Sequence, residues 1–393
     1  MTAIETDPLL DIRARAAVIL ADLAERDADL ERDRVLAGDV VRRLADTGIL
    51  SIRVPVAYGG LGRSIAEVIE VVTEIATAGS NVAQSVRAHY GFVERLLGNR
   101  ATEADRRRWF PEVLAGRIVG NAISETAGAT GTTLSEAADG TLRLDGRKFY
   151  STGSLYADLF AVSATRDDGR EVHVILPTDR AGIELFDDWD GFGQRLTASG
   201  SSVFTDVLVH PDEVTVVPAD QRQAHSQSFL QLYLTAVAVG VGRAVLRDTV
   251  AYVRDRARPA AHAIAETAAE DPYVLEAVGE IDAWSSAAGA VTAAAARALD
   301  RVVDAGRVDD ESAVGAAAIE VARAQLVAER LTIDAATRLF DTAGASATSR
   351  RFNLDRHWRN ARTLASHNPL AYKARAIGDH AVNGALPPRS GYF

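Results

Sequence analysis

Hydrophobic periodicity changes twice along this chain, and that double change limits the folds open to it. From Ile12 onward, apolar residues recur at helical spacing, as in Ile12, Ala16, Ile19, Leu20 and Leu23, and again in Val40, Val41 and Leu44. A turn-rich break from Val54-Pro55 through Tyr58-Gly59-Gly60-Leu61-Gly62 interrupts the pattern, and a second helical run follows from Ile65 to Thr77. In the middle third the period drops to two. Thr141 to Phe149 reads as strand, Asp145-Gly146 turn, strand. Leu159–Ala164, Val172–Leu176 and Ser201–Val209 read as further strands, separated by turn signals at Asp168-Gly169, Ala181-Gly182 and His210-Pro211. The last zone is helical again and rich in Ala, and the run from Ser312 to Asp341 is long enough for a bundle helix. The order implies an α+β protein. An N-terminal helical domain is expected over residues 1–118, a central antiparallel barrel or sandwich over 119–218, and a C-terminal four-helix bundle over 219–393.

Composition narrows the function classes. A net charge of −11 argues against a general nucleic-acid binder. The chain has no cysteine, which excludes disulfides, thiolate metal centres and thiol catalysis. Its positive charge is almost all Arg; Lys148 and Lys373 are the only lysines. Acidic and basic residues alternate from Glu5 to Arg34, unlike a signal peptide. The longest apolar stretches, near Thr235–Gly242 and Ser285–Ala296, fall short of the roughly 20 residues a bilayer span needs. A cytoplasmic protein with no membrane or nucleic-acid partner is the expectation. No G-x-G-x-x-G follows a strand and no P-loop is present.

Three segments in this order resemble the acyl-CoA dehydrogenase superfamily. They are Pro55-Val56-Ala57-Tyr58-Gly59-Gly60-Leu61-Gly62, Asn121-Ala122-Ile123-Ser124-Glu125-Thr126 and Arg147-Lys148-Phe149-Tyr150-Ser151-Thr152-Gly153. Within that superfamily two further stretches are similar to the reduced-flavin monooxygenases. One runs from Asp187-Asp188-Trp189 to Gly200-Ser201. The other runs from Asp355-Arg356-His357-Trp358-Arg359-Asn360 through Ser366-His367-Asn368-Pro369 to the Leu386-Pro387-Pro388-Arg389 ending. The likeness covers nearly the whole chain.

The resemblance turns on one local difference. A dehydrogenase of this fold removes an α-proton with a carboxylate, usually a Glu after the Arg-rich C-terminal helix. Here that place reads Ala365-Ser366-His367-Asn368-Pro369, with no acid. Some dehydrogenases carry the base on an earlier helix, near Tyr252 in this chain, where Asp248 and Asp255 lie. A monooxygenase instead has to keep a C4a-(hydro)peroxyflavin dry and hydrogen-bonded beside its substrate, work suited to a histidine. The resemblance implies that role for His367 and a cavity-lining place for His89 on the helix containing Arg87-Ala88-His89-Tyr90-Gly91.

For the flavin, the resemblance implies that Trp189 packs on the ring system and that Thr152 reaches N5, with Tyr150 on the same strand face. Asn121 is expected to face the flavin or its peroxide, so it belongs to both the catalytic and the cofactor set. Ser124 and Thr126 are weaker candidates. Arg258, or alternatively Arg256, is expected at the phosphate of a neighbouring subunit's flavin, and Arg359, Asn360 or Arg362 at the phosphate or flavin edge. No metal site is expected. The implied enzyme is a two-component flavin-dependent monooxygenase using reduced FMN, with FAD as the alternative, and O2. A separate NAD(P)H-flavin reductase would supply the flavin, the substrate would be a small organosulfur, amine or aromatic compound, and the assembly would be a homotetramer. An acyl-CoA dehydrogenase with an atypical base and a flavin-fold subunit without catalysis are the competing readings.

Overall fold

The computed structural model describes residues 7–98, 101–125, 131–217, 225–388 and 390–393. Six helices come first: α1 (Pro8–Asp33), α2 (Gly38–Thr47), α3 (Ile65–Ala78), α4 (Ser80–Ser85), α5 (Arg87–Leu97) and α6 (Glu103–Leu114). Eight strands follow: β1 (Val119–Ala122), β2 (Thr133–Glu136), β3 (Leu142–Lys148), β4 (Leu159–Arg166), β5 (Glu171–Pro177), β6 (Ile183–Leu185), β7 (Ser202–Val209) and β8 (Val214–Val216). Long helices then return as α7 (His225–Asp255), α8 (Pro272–Asp304) and α9 (Glu311–Arg338), followed by α10 (Arg356–Ala365) and α11 (Leu370–Asn383).

Local chemistry explains the helix limits. Ser64 and Glu67 form a reciprocal capping box at the start of α3, satisfying backbone N–H groups that have no helical partner. The stripe Ile65, Val68, Ile69, Val72 and Ile75 is buried against α7 and α8. Each such aliphatic side chain contributes about 1.5–3 kcal/mol by leaving water. Gly240 on α7 lets the two helices touch: a Cβ there would lie 2.3 Å from that of Ala76. The apolar run near Thr235 belongs to one 31-residue helix that is long and apolar enough to cross a membrane, contrary to the sequence expectation. Packing against α3, α8 and α9 covers its apolar surface.

The central sheet is mixed, a correction to the antiparallel expectation. Its order is β6-β7-β3-β2-β4-β5-β8, and β1 and β2 share one edge of β4, both parallel to it. Asp145-Gly146 is not a hairpin turn. It is a bulge within β3, with a register shift against β7 between Leu144 and Gly146. Gly146 has φ 143°, and a Cβ there would lie 2.6 Å from the Thr132 Cα. One sheet face forms its own apolar core around Leu144, Phe160, Val162 and Phe204. The other packs Leu159, Ala161 and Ile175 on Phe92, Val93, Trp109 and Phe110 of α5 and α6. The position expected to divide the second and third domains, 218/219, lies outside the described residues.

Candidate active site

Tyr150, Thr152 and Trp189 come together in two loops packed on the end of α4, and Asn121 lies on the strand whose extension meets them. β3 ends at Lys148, so Tyr150 is not on the strand as expected. It sits in a following loop with φ 57°, half exposed. That loop is tied to the β1 extension by Phe149 N–H donating to the Ser124 carbonyl (3.0 Å). It is tied to the 187–200 segment by Ser151 N–H to Gly200 O (3.1 Å) and Gly153 N–H to Thr197 O (2.9 Å). Phe149, Tyr150 and Trp189 form an aromatic cluster with centroids 4.6–6.4 Å apart. Three non-glycine residues with positive φ, Tyr150, Gln194 and Ala198, lie in these two loops. Such backbone is costly and persists only where neighbours over-determine it.

The Thr152 hydroxyl begins a directed chain. Thr197 Oγ1 donates to the Gln194 carbonyl (2.8 Å), Ser199 Oγ lies 2.7 Å from Thr197 Oγ1, and Thr152 Oγ1 lies 2.8 Å from Ser199 Oγ. With one proton per hydroxyl, Ser199 donates to Thr197 and Thr152 to Ser199. Thr152 therefore turns a lone pair outward. Asn121, on β1, has a side-chain amide with no partner among the described residues. The buried hydroxyl of Ser151 is likewise unpartnered. Lys148 holds the chain beyond β1 in place, its Nζ reaching Glu125 Oε1 (2.6 Å), Ser163 Oγ (3.1 Å) and the Ile123 carbonyl (3.3 Å). Thr126 lies outside the described residues.

His367 approaches from the other side of the α4–α5 junction. Gly153 packs on Ser85, the last residue of α4, so closely that a Cβ would lie 2.2 Å from the Ser85 carbonyl oxygen. Two residues on, Arg87 Nη1 is 3.4 Å from His367 Nε2. A guanidinium only donates, so Nε2 accepts and the proton sits on Nδ1, facing Asn368 Oδ1 at 3.4 Å. The orientation of Asn368 is fixed in turn, because its Nδ2 donates to Gln231 Oε1 and Gln231 Nε2 donates to the Gly391 carbonyl (2.8 Å). The ring is exposed at the protein surface, with Arg87 and Asn368 as its neighbours. Burial, then the Arg87 charge, pushes its pKa down to about 4. The imidazole is neutral at ordinary pH.

Other expected residues do different work. His89 is not exposed at this site. It is fully buried, with Nε2 donating to the Leu50 carbonyl (3.1 Å) and Nδ1 accepting from Val119 N–H (3.2 Å). It pins β1, and so Asn121, to α5. Arg359 uses all five donors on Glu31, Asn353, Asp355 and the Phe192 carbonyl, leaving none for a phosphate. Asn360 Oδ1 accepts from Gln194 N–H (2.6 Å) and so anchors the strained loop to α10. Arg258 lies beyond α7, exposed and without a side-chain partner among the described residues, and Arg256 rests on the Phe352 ring. Asp248, a candidate alternative base, is gripped by Arg356 Nη2 (2.6 Å), His357 Nε2 (2.8 Å) and Arg247 Nε (2.8 Å). Burial alone would raise its pKa, but the hydrogen bond and charge of His357 and the charges of Arg356 and Arg247 hold it far below the usual carboxylate range. It is a poor proton acceptor. Arg87 was missed in the sequence. The available signal was an Arg on a buried helix with no acid three or four residues away on either side.

Comparison with known proteins shows the family. Residues 10–117 match the acyl-CoA dehydrogenase N-terminal domain and residues 232–372 the acyl-CoA dehydrogenase C-terminal domain. The chain is 31% identical over 385 residues to a dibenzothiophene monooxygenase of Rhodococcus qingshengii, covering 92% of this chain and 91% of the relative. It is 30% identical over 358 residues to a probable FMNH2-dependent monooxygenase, SfnC, of Pseudomonas putida, covering 89% of each. The FMN-bound structure of TdsC from Paenibacillus sp. A11-2 superposes with a TM-score of 0.87 at 32% identity, over 96% of this chain and all of the other. The chain belongs to the acyl-CoA dehydrogenase superfamily, in its branch of flavin-dependent monooxygenases related to dibenzothiophene monooxygenase.

Proposed function

We propose that this protein is the oxygenase component of a two-component system that takes reduced FMN from a separate NAD(P)H-dependent reductase and oxygenates a small organosulfur, amine or aromatic substrate. The observation that carries the reading is the neutral His367 standing where a dehydrogenase of this fold holds its base, together with the neutralisation of Asp248 as a substitute. The cradle suits a flavin. An unpartnered amide at Asn121, an outward lone pair at Thr152 and the aromatic cluster around Trp189 offer the polar and stacking contacts such a ring needs.

When bound, reduced flavin supplies the two electrons and the oxygen-activating carbon. The chain's own residues orient it, exclude water and manage protons. Thr152 and Asn121 meet its polar edge, and Trp189 packs on the ring. His367 stays neutral, its Nδ1 proton held toward Asn368 and its Nε2 accepting from Arg87, so a proton can reach Nε2 only when that contact opens. Arg258 reaches the flavin phosphate of a neighbouring copy in a homotetramer, which fits its exposure and lack of partners. FMN is the preferred flavin. The test is to mix chemically reduced FMN with oxygen in the presence and absence of the protein. Slowed reoxidation with a transient near-UV absorbance is expected. Reduction of the bound flavin by an acyl-CoA would reject the reading in favour of a dehydrogenase.

A further inference from the structure

Three deeply placed arginines are paired with carboxylates. Arg53 meets Glu94 (2.9 Å), Arg356 meets Asp27 (3.0 Å) and Asp248 (2.6 Å), and Arg359 meets Glu31 (3.0 Å). Acids are in excess, 54 against 43 basic residues. Arg87 breaks the pattern. It donates to His367 Nε2 and, from Nε, to the Leu230 carbonyl (3.3 Å), and has no carboxylate among the described residues. Three of its five N–H groups are left over. Burial pushes the guanidinium down to about 10, so it still carries its charge at neutral pH. Arg95, two turns further along α5, has no carboxylate partner among the described residues either.

We propose that Arg87 is a specificity-determining residue that binds an anionic group of the substrate, so that the enzyme selects small organic oxyanions over uncharged analogues. A partly dehydrated guanidinium with an unused fork is a site for a two-oxygen anion, which it can grip bidentately. Its contact with His367 places that anion at, or next to, the reacting atom. An uncharged heteroaromatic would instead leave the Arg87 charge without a counter-ion. Arg95 sets a second positive charge along the same helix, which favours entry of an anion. The inference rests on the flavin-oxygenase reading for the identity of the site. The other anion that the fork could serve is the phosphate of FMN.

The experiment titrates the FMN-loaded enzyme with benzenesulfinate and benzoate as anions, and with methyl phenyl sulfoxide and benzamide as uncharged counterparts. Perturbation of the flavin absorbance reports binding. The anions should bind at least tenfold more tightly, and Arg87→Gln should remove that preference while Arg87→Lys keeps part of it. Equal binding of anions and neutral analogues by the wild-type enzyme would overturn the proposal, and that comparison needs no variant to fold. Loss of FMN affinity with unchanged riboflavin affinity in R87Q would also overturn it, by assigning Arg87 to the cofactor phosphate. The same anions are titrated without flavin by tryptophan fluorescence. A wild-type enzyme that binds no FMN would therefore sink the flavin reading while the anion preference is still read.

Discussion

The Nε2 atom of His367 and the Nη1 atom of Arg87 are 3.4 Å apart, joining the segment after α10 to the start of α5. The contact fixes the imidazole as a neutral acceptor, and the adjacent charge helps hold its pKa near 4. His367→Ala should keep flavin binding but release hydrogen peroxide at the expense of product. Product and peroxide yields per flavin oxidised check this; an unchanged ratio would remove His367 from the chemistry.

The same contact predicts a pH effect. His367 is neutral above its depressed pKa, so coupling of flavin oxidation to product should be level from pH 6 to 8 and fall only as the ring protonates below about 5. Arg87→Gln removes the neighbouring charge and should move that acid limb upward, toward the ordinary histidine value. Coupling measured between pH 4.5 and 8 in both proteins tests the shift. An acid limb that stays in place would separate the two residues.

His89 should matter for stability. Burial lowers its pKa from 6.5 to about 4, so the unfolded chain binds a proton in that interval that the folded one refuses. Its contribution is full above pH 6.5 and is lost as pH falls toward 4, roughly 3 kcal/mol in all. His89→Gln should lower stability at pH 7 by about 1–3 kcal/mol and flatten the decline below pH 6.5. Urea unfolding at pH 7 and pH 5 measures both effects.

Arg359 and Arg258 should separate scaffold from cofactor contact. Arg359→Ala leaves Glu31 buried without its main counter-charge and should cost about 3–5 kcal/mol of folding stability. Arg258→Ala removes no side-chain contact among the described residues and should leave the melting temperature unchanged while weakening FMN binding about tenfold or more. Thermal melts beside flavin titrations distinguish the two. A matching loss in both variants would contradict the division.

Gly153→Ala tests the close packing that joins the two halves of the site. With φ at 80° and the Ser85 carbonyl oxygen 2.2 Å from the position of a Cβ, the variant cannot keep this geometry. It should lose more than about 1 kcal/mol of stability, together with most of its flavin affinity. Wild-type flavin affinity in the variant would show that the cradle does not depend on this contact.

Periodicity made the helices legible. α3 begins at Ile65, where the helical run was expected to start, and ends at Ala78, one residue beyond it. The sheet was less so. Parallel pairing of β1 and β2 with β4 depends on partners distant in sequence, and Asp145-Gly146 has the same composition as a hairpin turn although the neighbouring β7 carries the strand through it. The cradle loops around Tyr150 and Trp189 were found through resemblance. The resemblance placed His89 on a helix but could not say that both its nitrogens would meet backbone. Arg359 and Asn360 share a motif with His367, yet their side chains point to the scaffold, a direction only packing decides. Arg87 stood two residues from His89, and its lack of an acid within helical reach was the signal passed over.

The most direct test of the flavin-oxygenase reading is a stopped-flow mixture of the protein with reduced FMN and oxygenated buffer. Reoxidation slower than that of free reduced FMN, with a transient near-UV absorbance that shortens in His367→Ala, is the predicted result. Reoxidation at the free-flavin rate with no transient, together with reduction of bound flavin by an acyl-CoA, would contradict it.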